Sequence, residues 1–283
     1  MVLSLNNTIK KGNKFVELLQ YTFFQNALLG SLLASIACGI MGTYIVTRRL
    51  VFISGGITHA SLGGVGIGLL TGISPLLTTL LFSLASALGI QWLSERNDMR
   101  EDSAIAVFWT FGMALGILCA FLAPGFSPDL STYLFGNILT IVHEDLALLA
   151  GLTIALVAFF VFYYEVILSI AFDAEFARSQ GLPVRLFEYL LMAFIALTIV
   201  ATLRLVGIVL AISMLTLPQM TALLFTSNFR HTIFLSIAIG ALGCFGGLIA
   251  SFYLNVPSGA TIIFFSIIIY AVCKVLQNFT LTK

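Results

Sequence analysis

The stretch Ser54–Gly68 (SGGITHASLGGVGIG) holds the residue best suited to chemistry, His59. It is the one histidine expected inside an apolar span, with Thr58 adjoining and Gly55, Gly63 and Gly66 beside it at helical spacing. A helix face so bare of side chains lets another helix or an ion approach backbone, and an ionisable group there is costly unless it meets a cavity or a partner. Imidazole is a preferred ligand of divalent transition metals. The same residues also read as a structural histidine bonded to a carbonyl, with glycines for tight packing. One imidazole is too few for a tight metal site, which takes about four ligands. A passage site tolerates weak binding, and a symmetric dimer supplies a second His59.

Carboxylates are scarce in the apolar segments. Glu165 and Glu188 fall near inner ends, Glu144 and Asp145 near an outer end, and Asp102 where a span begins. None falls at mid-depth, where an ion-coupled transporter keeps its relay, so the energy source is expected elsewhere. The chain has no GxxxxGK[ST] sequence and hence no nucleotide site of that kind. Glu144 and Asp145, with His143, read either as an outer mouth that attracts cations or as acids favoured by a helix dipole. Cys38, Cys119, Cys244 and Cys273 lie in apolar runs without CxxC spacing and read as packing residues.

The elements that position these residues are membrane spans. Of 283 residues only 9% are charged and 60% are hydrophobic, against roughly 25% charged in soluble domains; mean hydropathy is +1.10. This excludes an ordinary soluble enzyme, and a net charge of +1 excludes nucleic-acid binding. Apolar segments fall near 27–46, 56–72, 75–93, 103–122, 141–164, 186–203, 205–227, 232–252 and 259–278. The fold class is all-α, a polytopic membrane protein of about eight or nine helices, with residues 1–26 as a tail and interfacial helix and 27–283 as one transmembrane domain. The second segment is short and Gly-rich, the sixth and seventh are parted by little more than Arg204, and Pro218 interrupts the seventh, so one of these is expected to be re-entrant or broken. Placing 171–185 inside puts Arg48, Arg49, Arg96, Arg100, Arg178, Arg185, Arg230, Lys274 and Lys283 on the cytoplasmic side and leaves Arg204 and three N-terminal lysines opposite. The inner stretch FDAEFARSQGLPVR (172–185) reads as a short helix closed by Gly181 and Pro183, a docking surface. The outer stretch 123–137 is rich in turn residues.

With these segments in place, the chain resembles the permease subunits of ATP-binding-cassette importers for zinc, manganese or iron, from about residue 23 to 275. His59, Ala60, Leu62 and Gly64 match the second-span signature. Residues 102–116, YLFGN (133–137), 172–181, 205–222 and 256–263 are similar to the family's other motifs, in order. There are departures. Gly55 stands where the family has an acidic residue, Gly63 where it has proline and Asn137 where aspartate is common; Gln219 and Met220 follow Pro218 in place of alanines. Of the acid and histidine pair thought to contact metal, only His59 is present, and Gln219 offers a substitute oxygen.

The resemblance implies an importer-type permease in the bacterial inner membrane that works as a homodimer and passes a divalent metal ion as cargo, with no permanently bound cofactor. It implies cytoplasmic ATPase subunits docked on 172–185, through Asp173, Glu175, Arg178 and Gly181, and an extracytoplasmic metal-binding protein that delivers the ion. The alternatives are a cassette permease for iron chelates or cobalamin and an ion-coupled secondary metal transporter. A membrane-embedded enzyme is disfavoured, because His59 has no carboxylate or thiol near it in sequence.

Overall fold

The computed structural model describes residues 20–96, 100–124 and 141–281. The expected interfacial helix of the N-terminal tail and most of the outer stretch, including YLFGN and Asn137, lie outside the described residues. All regular structure that is described is helical: α1 Thr22–Thr47, α2 Val51–Thr71, α3 Pro75–Arg96, α4 Glu101–Leu122, α5 His143–Phe162, α6 Tyr164–Phe172, α7 Ala174–Ser179, α8 Val184–Met214, α9 Leu217–Ala222, α10 Phe229–Leu254 and α11 Ser258–Leu281. Among the described residues, eight helices are long and apolar enough to cross a membrane. The first starts at Thr22, five residues before the apolar run begins, with Phe24 and Asn26 already buried.

The seventh segment is broken rather than continuous. Gly207 interrupts α8 at φ 77° and ψ 172°, a conformation open essentially to glycine alone. The chain resumes as helix to Met214, turns, and forms the one and a half turns of α9 with Pro218 near its start. Pro218 fits there because a helix's first N–H groups need no intrahelical partner. The expectation of eight or nine helices is thus resolved as eight long ones plus this interrupted passage.

Burial ranks the helices. The apolar windows of α1 and α2 are 72% and 78% buried and that of α8 61%, whereas α5 is 22% and α11 17%. The first three form the centre, and the last two present apolar side chains outward, as a lipid-facing helix does. Many buried hydroxyls are satisfied within their own helices: Ser31 donates to the Ala27 carbonyl, Thr43 to Gly39 and Thr58 to Ser54, each within 2.7 Å. Such back-bonding removes the cost of an unpaired polar group in an apolar setting.

The ionic contacts between helices collect at one end of the bundle. Arg48, just past α1, pairs with Glu188 of α8, Arg185 of α8 with Glu95 of α3, and Arg230 of α10 lies over the Tyr164 ring of α6. The expected docking helix, α7, lies between α6 and this first turn of α8. The link from α1 to α2 has only three residues, with Arg49 held in the left-handed region at φ 60°. At the opposite end Asn26 donates to the Ile141 carbonyl just before α5.

Candidate functional site

α2 carries a stripe that the described residues leave partly uncovered. Phe52, Gly55 and His59 fall at i, i+3 and i+7, on one helix face; Phe52 is exposed and the other two are half-buried. A side chain at Gly55 would meet no atom within 4 Å. His59, near the middle of α2, stacks on Trp109 of α4 with ring centroids 4.6 Å apart and planes 3° from parallel. Phe52 adjoins the other end of the indole, at 5.9 Å. The Trp109 Nε1–H points to the Met113 sulfur at 2.9 Å, so the indole has a partner for its one polar group and is held as a rigid support for the imidazole. His59 Nδ1 is enclosed and has no hydrogen-bond partner among the described residues.

Trp109 and Met113 are the residues that sequence reading missed. Both lie in the stretch 102–116 singled out for its resemblance, but nothing in that stretch tells which side chain meets the second span. The available signal was a tryptophan inside an apolar helix with a methionine four residues on, since an indole N–H in lipid surroundings needs an acceptor.

The other glycines have a different role. A Cβ at Gly63 would come within 2.8 Å of the Phe82 ring and 3.0 Å of the Gly112 carbonyl, and one at Gly66 would run into the backbone of Gly116. Expected as pathway-lining residues with Gly55, these two lie at the close seam of α2 with α3 and α4, where small residues let backbones approach. Of the three, Gly55 borders open space.

Gln219 is fully buried in α9 and does not share the stripe with His59. Its Nε2 donates to the Cys38 carbonyl of α1 at 2.7 Å and to the Met214 carbonyl at 3.2 Å, across the turn that precedes α9. Its side chain occupies the space over Gly42, so it staples the broken passage to α1. Its Oε1 has no partner in the protein. Its amide nitrogen thus has a structural task, joining the broken passage to α1.

At the expected outer mouth, Glu144 and Asp145 occupy the first turn of α5, and the Val142 N–H donates to Asp145 at 3.5 Å. This is the placement the helix dipole favours. At the docking segment, the Asp173 carboxylate caps α7 by accepting from the Phe176 N–H at 2.9 Å, Glu175 sits in the first turn and Arg178 in the last. Gly181 leaves the helix at φ 79°. Phe172, Phe176 and Leu186 are exposed beside these charges, around an open hollow lined by Arg178, Pro183 and Tyr189. Among the described residues no three histidine, cysteine or acidic side chains gather to hold a metal ion.

The sequence pattern of the ABC 3 transport family matches residues 20–277. An uncharacterized membrane protein of Synechocystis, slr2045, is 38% identical over 272 residues, 96% of this chain and 97% of its own. The manganese transport system membrane protein MntC of Halalkalibacterium halodurans is 34% identical over 257 residues, covering 91% of this chain and 88% of its own. Among solved structures, PsaBC from Streptococcus pneumoniae in complex with a Fab is 29% identical and superposes with a TM-score of 0.83, over 92% of this chain and 94% of that one.

Proposed function

The chain belongs to the ABC 3 transport family, and from that premise we infer that it is the membrane-spanning permease of an ATP-driven importer of a divalent metal ion. It is a multi-pass membrane protein with the importer-permease fold. Hydrolysis belongs to ATPase subunits seated on α7 and the start of α8, and an extracytoplasmic binding protein hands the ion to the opposite end.

One observation carries the reading of the pathway. An imidazole with an enclosed, unpartnered nitrogen lies midway along a central helix, on a stripe the single chain does not cover. Lipid is a poor neighbour for that group. A second copy brought to the stripe places two imidazoles across a seam whose glycine at position 55 leaves room between them. The ion meets neutral nitrogen donors there and no carboxylate of α2. It is zinc, iron or manganese, and a neutral donor set binds the harder manganese ion least well.

The test is reconstitution of the chain with its ATPase subunits and binding protein in vesicles. ATP-dependent uptake of radiolabelled zinc, iron or manganese is expected. ATP hydrolysis without uptake of any of the three, or uptake only of a metal chelate or cobalamin, would overturn the reading.

A further inference from the structure

The start of α8 grips two neighbouring helices by charge. Glu188 Oε1 accepts from Arg48 Nη2 at 2.9 Å, at the end of α1. Three residues earlier on the same face, Arg185 Nε reaches Glu95 Oε2 of α3 at 3.1 Å. Tyr189 donates to that same oxygen at 3.4 Å, and Gln91 to Glu95 Oε1 at 2.9 Å. One turn of helix thus presents an acid toward α1 and a base toward α3. That turn follows directly on the docking segment.

The two grips differ in kind. The Arg48 and Glu188 side chains are 26% and 14% exposed, so their pairing is shielded and holds one geometry. Arg185 is 71% exposed, and its pairing with Glu95 is of the weak, solvent-screened sort. Between them is a cavity of about 210 Å³ lined by Tyr44, Arg48, Gln91, Ser94, Glu95 and Glu188. Arg48 Nε and Ser94 Oγ are enclosed there without a partner. Arg48 therefore shares one chamber with two carboxylates, holds one of them, and has an unused donor and room to turn.

We propose that Arg48, Glu95 and Glu188 are coupling residues: movement of the docking segment turns the start of α8 and passes Arg48 from Glu188 to Glu95, parting the inner ends of α1 and α3. α8 packs along α1, α2 and α3, so the displacement is felt by the helix that carries His59. These residues position helices and do not touch the cargo. The inference rests on the permease reading, and its test separates the two.

The assembled complex, permease with its ATPase subunits and binding protein in vesicles, is assayed for ATP hydrolysis and for uptake of radiolabelled zinc, iron and manganese. Glu188→Gln and Glu95→Gln are expected to assemble and to hydrolyse ATP at the wild-type basal rate while the ions moved per ATP fall about tenfold, the scale of an ordinary coupling between sites. The exchanged pair, Arg48→Glu with Glu188→Arg, restores the resting contact but leaves Glu95 with no base to receive, so it is expected not to recover the loss; full recovery would reduce the pair to a static contact and overturn the relay. Should Glu188→Gln not fold, Glu95→Gln decides, because its arginine partner is already mostly in solvent. Wild-type ions per ATP in Glu95→Gln overturns the relay and leaves the permease reading intact. A wild-type complex that hydrolyses ATP and moves none of the three ions overturns the permease reading and this inference with it.

Discussion

His59 is held by one aromatic face and open at its edge, and each half of that arrangement has its own test. His59→Ala is expected to lower metal uptake by more than about tenfold with assembly intact, as measured by co-purification of the ATPase subunits; wild-type uptake would make the histidine purely structural. Trp109→Phe keeps a flat support and should keep most activity, whereas Trp109→Ala frees the imidazole and is expected to raise the half-saturating ion concentration about tenfold, as loss of a ligand's outer support commonly does. The space at Gly55 makes a gain of function testable. Gly55→Asp adds a carboxylate one helical turn before the imidazole without a clash, and it should shift competition between zinc and manganese toward manganese. An unchanged preference would mean the ion never reaches this face. His59 and Gly55 were legible from their helical spacing. Trp109 was not, because which of the two tryptophans meets α2 depends on how α4 rotates against it, a property of packing rather than of composition.

Among the elements, the broken passage after α8 and the short α7 carry the most local design. Gly207→Ala forces a Cβ into a glycine-only conformation, at a cost of about 1–3 kcal/mol. The expected result is a lower melting temperature of the purified protein together with loss of transport, and an unaffected variant would show that the break is not needed. Asp173→Ala removes the cap of α7, worth about 1 kcal/mol, and should weaken retention of the ATPase subunits on purification while leaving the bundle's melting temperature unchanged. Span positions, the short helix α7 with its Gly181 exit and the interruption near Pro218 could all be read in the sequence, because apolar length, capping residues and proline act locally. The break itself falls at Gly207, one glycine among 24, which only its backbone angles single out. The close packing at Gly63 and Gly66 was hidden for the opposite reason: a bare helix face is the same pattern whether it lines a passage or seats a neighbour.

For the molecule as a whole, the distribution of charge makes the sharpest statement. With ion pairs gathered at one end and a centre of apolar and hydroxyl residues, the bundle has no mid-depth acid among its described residues to exploit a proton or sodium gradient. Vesicles carrying this chain alone should therefore show no uptake when a gradient is imposed. The uncovered stripe of α2 gives the assembly its test: Phe52→Cys in a background without the native cysteines is expected to cross-link two copies, and failure to do so would move the seam elsewhere. The three-residue corner between α1 and α2, with Arg49 in its left-handed turn, is the shortest covalent route from the ionic edge to the imidazole. It has no slack. One glycine inserted between Arg49 and Leu50 would let the tether at Arg48 slide without dragging the helix that bears His59 behind it, leaving a machine that burns nucleotide in idle.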